Sequence, residues 1–261
     1  MSDVLIERRG HALWLTINRP DQRNALNGDV LGALTGALRD AKDDPALRAI
    51  VITGAGDRAF CAGADLKSAA DRDGGAFHVS QGVVENALAT FYAEVERCTL
   101  PLVARVNGHA MGGGLGLVAA CDLAVAADDA LFGTPEVKVG VYPLLITTYL
   151  MRLLPRRKLA EMALVGDPLD AARAVEYGLI NAAVPRADLD ARIDALVAAL
   201  VERSPTAIRL GKHALHAVQD MTLAQCLDYM TLMLDRMTQT EDAHEGIAAF
   251  KGKRKPAWSG R

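Results

Sequence analysis

The sequence predicts an α/β protein with a helical C-terminal region, and three observations carry that expectation. Arg48-Ala49-Ile50-Val51-Ile52-Thr53 is a nearly continuous apolar run, as expected for a strand buried on both faces. Strand patterns alternate with helical ones through the first two-thirds of the chain, which favours α/β over a sandwich. From about residue 187 onward only amphipathic helical patterns follow. With 261 residues, 51% of them apolar, the chain is long enough for one substantial core.

The elements are predicted in order. Ala12 to Ile17 reads as a strand, followed by the turn-rich run Asn18 to Asn27. Asp29 to Lys42 carries Val30, Leu31, Leu34 and Leu38 at helical spacing. The strand over 48–53 ends at Gly54-Ala55-Gly56, and 61–80, rich in Gly, Asp and Ser, reads as loop or short helix. A helix over about 82–97 precedes a strand at Leu102 to Val106, and Leu123 to Ala126 is the next strand. Beyond Pro143 the pattern is mostly helical; Gly178 is a helix stop and Ile180 to Val184 a last short strand. The division expected is a core over 1–195 and a helical region over 196–261.

Composition excludes several classes. A net charge of -3 with 5% aromatic residues lacks the basic stripes and stacking rings of a nucleic-acid binder. No apolar stretch approaches the roughly 20 residues of a membrane span; Val137 to Leu154 is interrupted by Lys138, Gly140, Pro143 and Arg152. The start, Met1-Ser2-Asp3-Val4, lacks the basic and apolar regions of a secretion signal, so a cytoplasmic location is expected. Cys61, Cys98, Cys121 and Cys226 fall at no metal spacing and read as reduced thiols. His213 and His216, three apart on a helix, lack a third ligand, and no metal is expected.

Glycine is concentrated where a strand gives way to a helix. Gly108, Gly112, Gly113, Gly114 and Gly116 fall within nine residues, and each costs about 0.5–1 kcal/mol inside a helix relative to alanine. Close helix–sheet packing is one reason for them. A dinucleotide fingerprint, Gly114-x-Gly116-x-x-Ala119, is another, but its first glycine stands eight residues beyond the strand instead of turning off it. An anion hole is the third: amides at a helix start lack intrahelical partners, and the dipole attracts negative charge. The second donor of such a hole would come from Cys61-Ala62-Gly63-Ala64-Asp65.

Two stretches, Arg58-Ala59-Phe60-Cys61-Ala62-Gly63-Ala64-Asp65-Leu66-Lys67 and Asn107-Gly108-His109-Ala110-Met111-Gly112-Gly113-Gly114, resemble the crotonase superfamily, the enoyl-CoA hydratase/isomerase family. Cys121-Asp122-Leu123, Phe132-Gly133-Thr134-Pro135-Glu136 and Glu245 to Phe250 before Lys253-Arg254 extend the resemblance over nearly the whole chain. It implies a spiral of ββα turns, a C-terminal helical region that supports trimers or dimers of trimers, and an acyl-CoA thioester substrate. Coenzyme A then arrives as part of the substrate, with no permanently bound cofactor. By position, the resemblance places oxyanion donors on the backbone N–H groups of Ala64 and Gly113. It places CoA contacts on Ala64, Asp65, Leu66 and Lys67, with Ala25 and Leu26 near the nucleotide end. Phe250 and Lys253 are candidates to reach CoA at a subunit boundary; a solvated basic tail is the alternative. His109 and Asp65 read as structural.

The departures bear on the reaction. The hydratases of this family carry two glutamates; here the first position is Gly116 and the second is Glu136. Bond migration between C2 and C4 of an enoyl thioester needs one base that removes and returns a proton, whereas water addition asks for both a base and an acid. Glu136 alone therefore favours isomerisation. A hydratase with a relocated acid, for which Glu85 is the candidate, and a catalytically weak CoA-binding or assembly protein are the alternatives. Val141 to Tyr149 replaces a glycine-rich turn of many relatives with Leu, Ile and Tyr, which predicts a larger apolar wall at the acyl pocket.

Overall fold

The structure, a computed structural model, describes residues 2–42, 44–65 and 86–261. Its larger sheet has six strands: β1 (Val4–Arg9), β2 (Ala12–Ile17), β3 (Ala49–Gly54), β5 (Leu102–Val106), β7 (Leu123–Ala127) and β10 (Ala182–Val184), in that spatial order. β1 and β2 form an antiparallel hairpin, and every later neighbour is parallel. A smaller sheet orders β4 (Ala59–Cys61), β6 (His109–Met111), β8 (Leu131–Gly133) and β9 (Leu169–Asp170). Each pass of the chain thus lays one strand in the large sheet and the next in the small one: β3 then β4, β5 then β6, β7 then β8. Helices close the turns, giving the ββα spiral.

The continuous apolar run at 49–54 is explained by burial on both faces. Ile50 and Ile52 join the main core with Leu15, Leu102 and Ala104, while Val51 faces a second cluster with Trp14, Val103, Val125, Leu189 and Ile193. The main core is covered by α1 (Gly28–Lys42), α2 (Ala87–Arg97) and α3 (Gly113–Ala120). The second is covered by α7 (Leu189–Val201), a helix that runs through residue 195. Between them come α4 (Leu144–Leu153), α5 (Arg156–Val165) and α6 (Ala171–Glu176).

Three more helices finish the chain: α8 (Pro205–Ala217), α9 (Leu223–Thr238) and α10 (Glu241–Lys251). Local chemistry sets their starts. Ser204 caps α8 ahead of Pro205, and Thr222 with Gln225 forms a capping box on α9. Thr240 caps α10. Asp242 then fixes the tail, accepting from the Ser204 hydroxyl (2.8 Å) and from the backbone N–H groups of Ser259 (2.8 Å) and Gly260 (3.0 Å). No described helix is long and apolar enough to cross a membrane.

Sequence patterning missed five strands for identifiable reasons. In β1 only Val4 is buried, and Arg9 reaches back over the Trp14 ring at 4.2 Å, so the hairpin edge carries no apolar alternation. The strands of the small sheet are two or three residues long, too short to show a period. Gly178, with φ +80°, ends α6 as expected.

One ion pair fastens the C-terminal helices to the core. Lys212 of α8 is buried; its Nζ donates to Leu100 O (2.8 Å) and to Asp122 Oδ2 (2.7 Å), which also accepts from Leu102 N–H (2.7 Å). Burial alone would raise the Asp122 pKa, but His216, Lys212 and the Leu102 amide outweigh it and hold the carboxyl below its usual value. The stability this contributes is fully present above the usual Asp value of 3.8 and is lost as pH falls through the depressed folded value. Acid unfolding followed by circular dichroism should therefore have a component below pH 3.8 that Asp122→Asn removes. Lys212→Met, which strands the Asp122 charge, should cost about 3 kcal/mol in denaturant titration at neutral pH.

Candidate active site

Two backbone segments meet at the start of α3. Gly112 precedes the helix at φ 52° and ψ −126°, a conformation open only to glycine, and its N–H donates to Gly133 O (2.8 Å). Gly113, the first helical residue, has no intrahelical acceptor for its own N–H. Opposite it runs the loop leaving β4. Leu26 N–H donates to Gly63 O and Asp65 N–H donates to Leu26 O, both at 2.8 Å, so a one-residue parallel bridge pins Ala64 beside Leu26.

Because Gly63 and Asp65 make those two bonds, the Ala64 N–H points away from Leu26. Among the described residues neither Ala64 N–H nor Gly113 N–H has an acceptor. The approach is close: a Cβ on Gly63 (φ +94°) would lie 2.9 Å from Met111 O and 3.4 Å from Gly113 N. A Cβ on Gly113 would stand 3.9 Å from Ala64 N. Two unpaired amides thus flank one gap, at the positive end of a helix.

Buried amides brace the two segments. Asn24 Nδ2 donates to Ala55 O (2.9 Å) and Ala59 O (2.8 Å); Asn107 Oδ1 accepts from Gly54 N–H (3.1 Å) and its Nδ2 donates to Gly56 O (2.8 Å). Arg19 adds a third tie, donating to Ala25 O (2.7 Å) and pairing with Asp65 (2.9 Å). Sequence reasoning missed Asn24 and Arg19 as supports. Their signal was only a polar residue in the turn-rich run 18–27.

Glu136 supplies the titratable group. It sits on a 3-10 turn, Pro135–Val139, started by Pro135 and anchored through buried Thr134, whose hydroxyl donates to Met162 O (3.0 Å). A Cβ on Gly112 would come within 2.8 Å of Glu136 Oε1, so the carboxylate lies against the helix start. Glu136 Oε2 is buried with no hydrogen-bond partner among the described residues. Burial raises the Glu136 pKa, while its own backbone N–H partly opposes the rise. Such a carboxylate is a stronger base than a solvated one. The nearby Cys61 thiol is pushed up to about 12 by burial, which removes it as a thiolate nucleophile at neutral pH.

These groups open onto one cavity of about 350 Å³. Leu26, Ala64, Gly113 and Glu136 line it, together with Leu31, Leu88, Val141, Tyr142, Leu144, Leu145 and Ile146. The run from Val141 is therefore an apolar wall, and Glu136 is the lone carboxylate among the described lining residues. Ala25 and Asp65 stand behind that lining, tied to Arg19. Phe250 is exposed on α10 and Lys253 lies just beyond it; neither lines the cavity. Leu66, Lys67 and Glu85 lie outside the described residues.

Gly116 explains its own lack of a side chain. A Cβ there would overlap both the Tyr92 hydroxyl and Ile146 Cγ2. His109, near the cluster, accepts from Leu131 N–H through Nδ1 (3.2 Å), a contact that joins β6 to β8.

Known proteins are similar to this chain over its full length. A probable enoyl-CoA hydratase of Mycobacterium bovis is 36% identical over 259 residues, covering 99% of this chain and 98% of the relative. The 2,3-dehydroadipyl-CoA hydratase of Escherichia coli is 35% identical over 263 residues and covers 100% of both. The crystal structure of enoyl-CoA hydratase from Mycobacterium tuberculosis superimposes with a TM-score of 0.90 at 33% identity, covering 100% of each chain. The sequence pattern of the family described as Enoyl-CoA hydratase/isomerase matches residues 7–261, and the chain belongs to that family of acyl-CoA enzymes, within the crotonase superfamily.

Proposed function

We propose that the chain moves the double bond of an enoyl-CoA thioester between the 3,4 and 2,3 positions, with Glu136 as the single proton carrier. The Glu136 carboxylate removes a proton from C2, and the electron pair of that C–H bond passes into the thioester to form a dienolate. Negative charge collects on the thioester oxygen between the Ala64 and Gly113 amides. Each such donor is worth about 2.7–4 kcal/mol when it meets a developing oxyanion. Protonated Glu136 then delivers the same proton to C4, and the former C3=C4 bond becomes C2=C3. The proton ends on C4, and the negative charge returns to the Glu136 carboxylate.

The observation that carries this reading is Glu136 as the lone carboxylate among the described lining residues, set beside two amides that have no acceptor among the described residues, with the space at residue 116 already filled. An apolar wall suits proton transfer between two carbons of one substrate. Hydration with an unusual acid is the second reading, favoured by the hydratase names of the Mycobacterium and Escherichia relatives. Under either reading CoA contacts fall to Ala64, Asp65, Leu66 and Lys67, with Ala25 and Leu26 near its nucleotide end; Leu66 and Lys67 lie outside the described residues. Phe250 and Lys253 would contribute from a neighbouring subunit.

The assembly that goes with this reading is a cytoplasmic trimer or dimer of trimers, with 1–195 as the catalytic core and 196–261 as its assembly region. Exposed Leu223, Leu227, Leu232, Leu234 and Phe250 on α9 and α10 support it, because that much apolar side chain on one region calls for a partner. Light scattering on the purified protein should give three or six times the 27.8 kDa of one chain; a monomer would refute the assembly.

A panel of 2-enoyl-CoA and 3-enoyl-CoA thioesters, with migration and water addition followed separately, tests the reaction. Migration should dominate, and robust hydration without migration would overturn the reading. Glu136→Gln should lower kcat for migration by about 10²–10⁴-fold, the usual worth of a positioned acid–base group, while acyl-CoA still binds.

The pH dependence has a definite sign. Glu136 acts ionised, so kcat/KM should fall on the acid side, with the inflection above the ordinary 4.5 because burial raises its pKa. An inflection at or below 4.5 in the pH profile would assign the base elsewhere.

A further inference from the structure

Gly112, the residue before α3, and Gly116 are one turn apart, Gly116 N–H donating to Gly112 O (3.0 Å). Glu136 stands against Gly112, and a Cβ on Gly116 would meet the Tyr92 hydroxyl and Ile146 Cγ2. Ile146 lines the cavity and is only 3% exposed. Tyr92 lies in α2, and its hydroxyl is buried with no partner among the described residues.

The pair is held firmly. Tyr149 is one turn beyond Ile146 on α4; its ring meets Tyr92 edge-on at 4.8 Å, and its hydroxyl donates to Glu96 (2.7 Å). Tyr92 is no second base: burial first, then the charges of Glu136 and Cys61, push its phenol pKa upward, so it stays neutral. Leaving a buried hydroxyl unpaired is destabilising. That cost is borne at the spot where a polar side chain on residue 116 would otherwise stand.

We propose that Tyr92 and Ile146 set the reaction specificity by acting as a water barrier: they fill the space beside Gly116, so that Glu136 exchanges its proton with the acyl chain and not with solvent. The inference rests on the isomerase reading and names the residues that enforce it. With Ile146 in place, a proton taken from C2 stays on Glu136 until C4 receives it. With the space opened, water reaches the carboxyl, exchanges that proton, and becomes available to add at C3.

The test uses the full-length protein in D2O. Butyryl-CoA reports α-hydrogen exchange, which needs enolisation and solvent access to Glu136 but no bond migration; 2-enoyl-CoA and 3-enoyl-CoA report hydration and migration. Ile146→Ala should raise the exchange rate and the hydration-to-migration ratio by about tenfold or more, the scale on which a small change in an apolar pocket discriminates. Tyr92→Phe, which removes only the hydroxyl, should move both in the same direction by less. If Ile146→Ala unfolds, the milder Ile146→Val decides by the same readouts.

Unchanged exchange and ratio in a folded variant, or no exchange in any protein, overturns the barrier. If the wild type fails to migrate the bond yet exchange rises in Ile146→Ala, the isomerase reading falls and the barrier stands. If the wild type migrates the bond and exchange stays unchanged in the variant, the barrier falls and the isomerase reading stands.

Discussion

The site depends on how closely the loop after β4 approaches the start of α3. Gly63 sits where a Cβ would come within 2.9 Å of Met111 O, and Gly114 sits where a Cβ would overlap the Cys61 carbonyl. Only that contact brings the Ala64 amide and the Gly113 amide to the same gap. Neither amide can be aimed by a side chain, so the aiming falls to the sheets. β4 and β6 pair in parallel within the small sheet, and the Asn24 and Asn107 amides lock the turns that lead into them. Packing and function are therefore one constraint here. The close-packing reading of the glycine cluster is met at Gly108 and Gly114, which let strands and helix touch, while Gly112 and Gly113 form the open helix start that the proposed anion hole would use.

The large sheet was legible in the sequence because its central strands are buried on both faces and read as uninterrupted apolar runs. The small sheet was not, although it carries the site, since Ala59–Cys61 and His109–Met111 are too short for any period. Its position came from the resemblance. Glu136, Ala64, Gly113 and Leu26 were all named from sequence, and the fold gathers them around one cavity. Tyr92 was invisible as a site neighbour: it lies on an ordinary amphipathic helix, and nothing local says that its hydroxyl meets residue 116. Long-range contacts of that kind are set by helix packing angle and cannot be read from spacing.

The wall of the cavity is also connected to the C-terminal helices. Tyr149 packs on Tyr92 and bonds to Glu96; His216 Nδ1 stands 3.5 Å from Glu96 and its Nε2 3.6 Å from Asp122; Asp122 pairs with Lys212 at 2.7 Å. Residues from α2, α4 and α8 and the turn before β7 thus form one polar chain that ends at the ring beside Gly116. A buried charge pair adds little net stability over an apolar substitute, but it resists alternative packings because either partner alone is costly. Placing such a pair within α8 fixes the register of the C-terminal helices against the spiral, and the same polar chain reaches Tyr92 through Tyr149.

What residue 116 contributes is accordingly more than an absence. A glutamate replaced by glycine on an open wall would leave a water-sized hollow beside the base, and a base beside water exchanges its proton. In this chain the Tyr92 hydroxyl from α2 and Ile146 from α4 stand where a side chain on residue 116 would begin. The Val141 to Tyr149 run, first conspicuous for replacing glycines, supplies Ile146 and the Tyr149 that steadies Tyr92. The two stretches singled out in the sequence, at 116 and at 141–149, thus meet in the fold: a side chain begun at 116 would overlap the Tyr92 hydroxyl and Ile146 Cγ2.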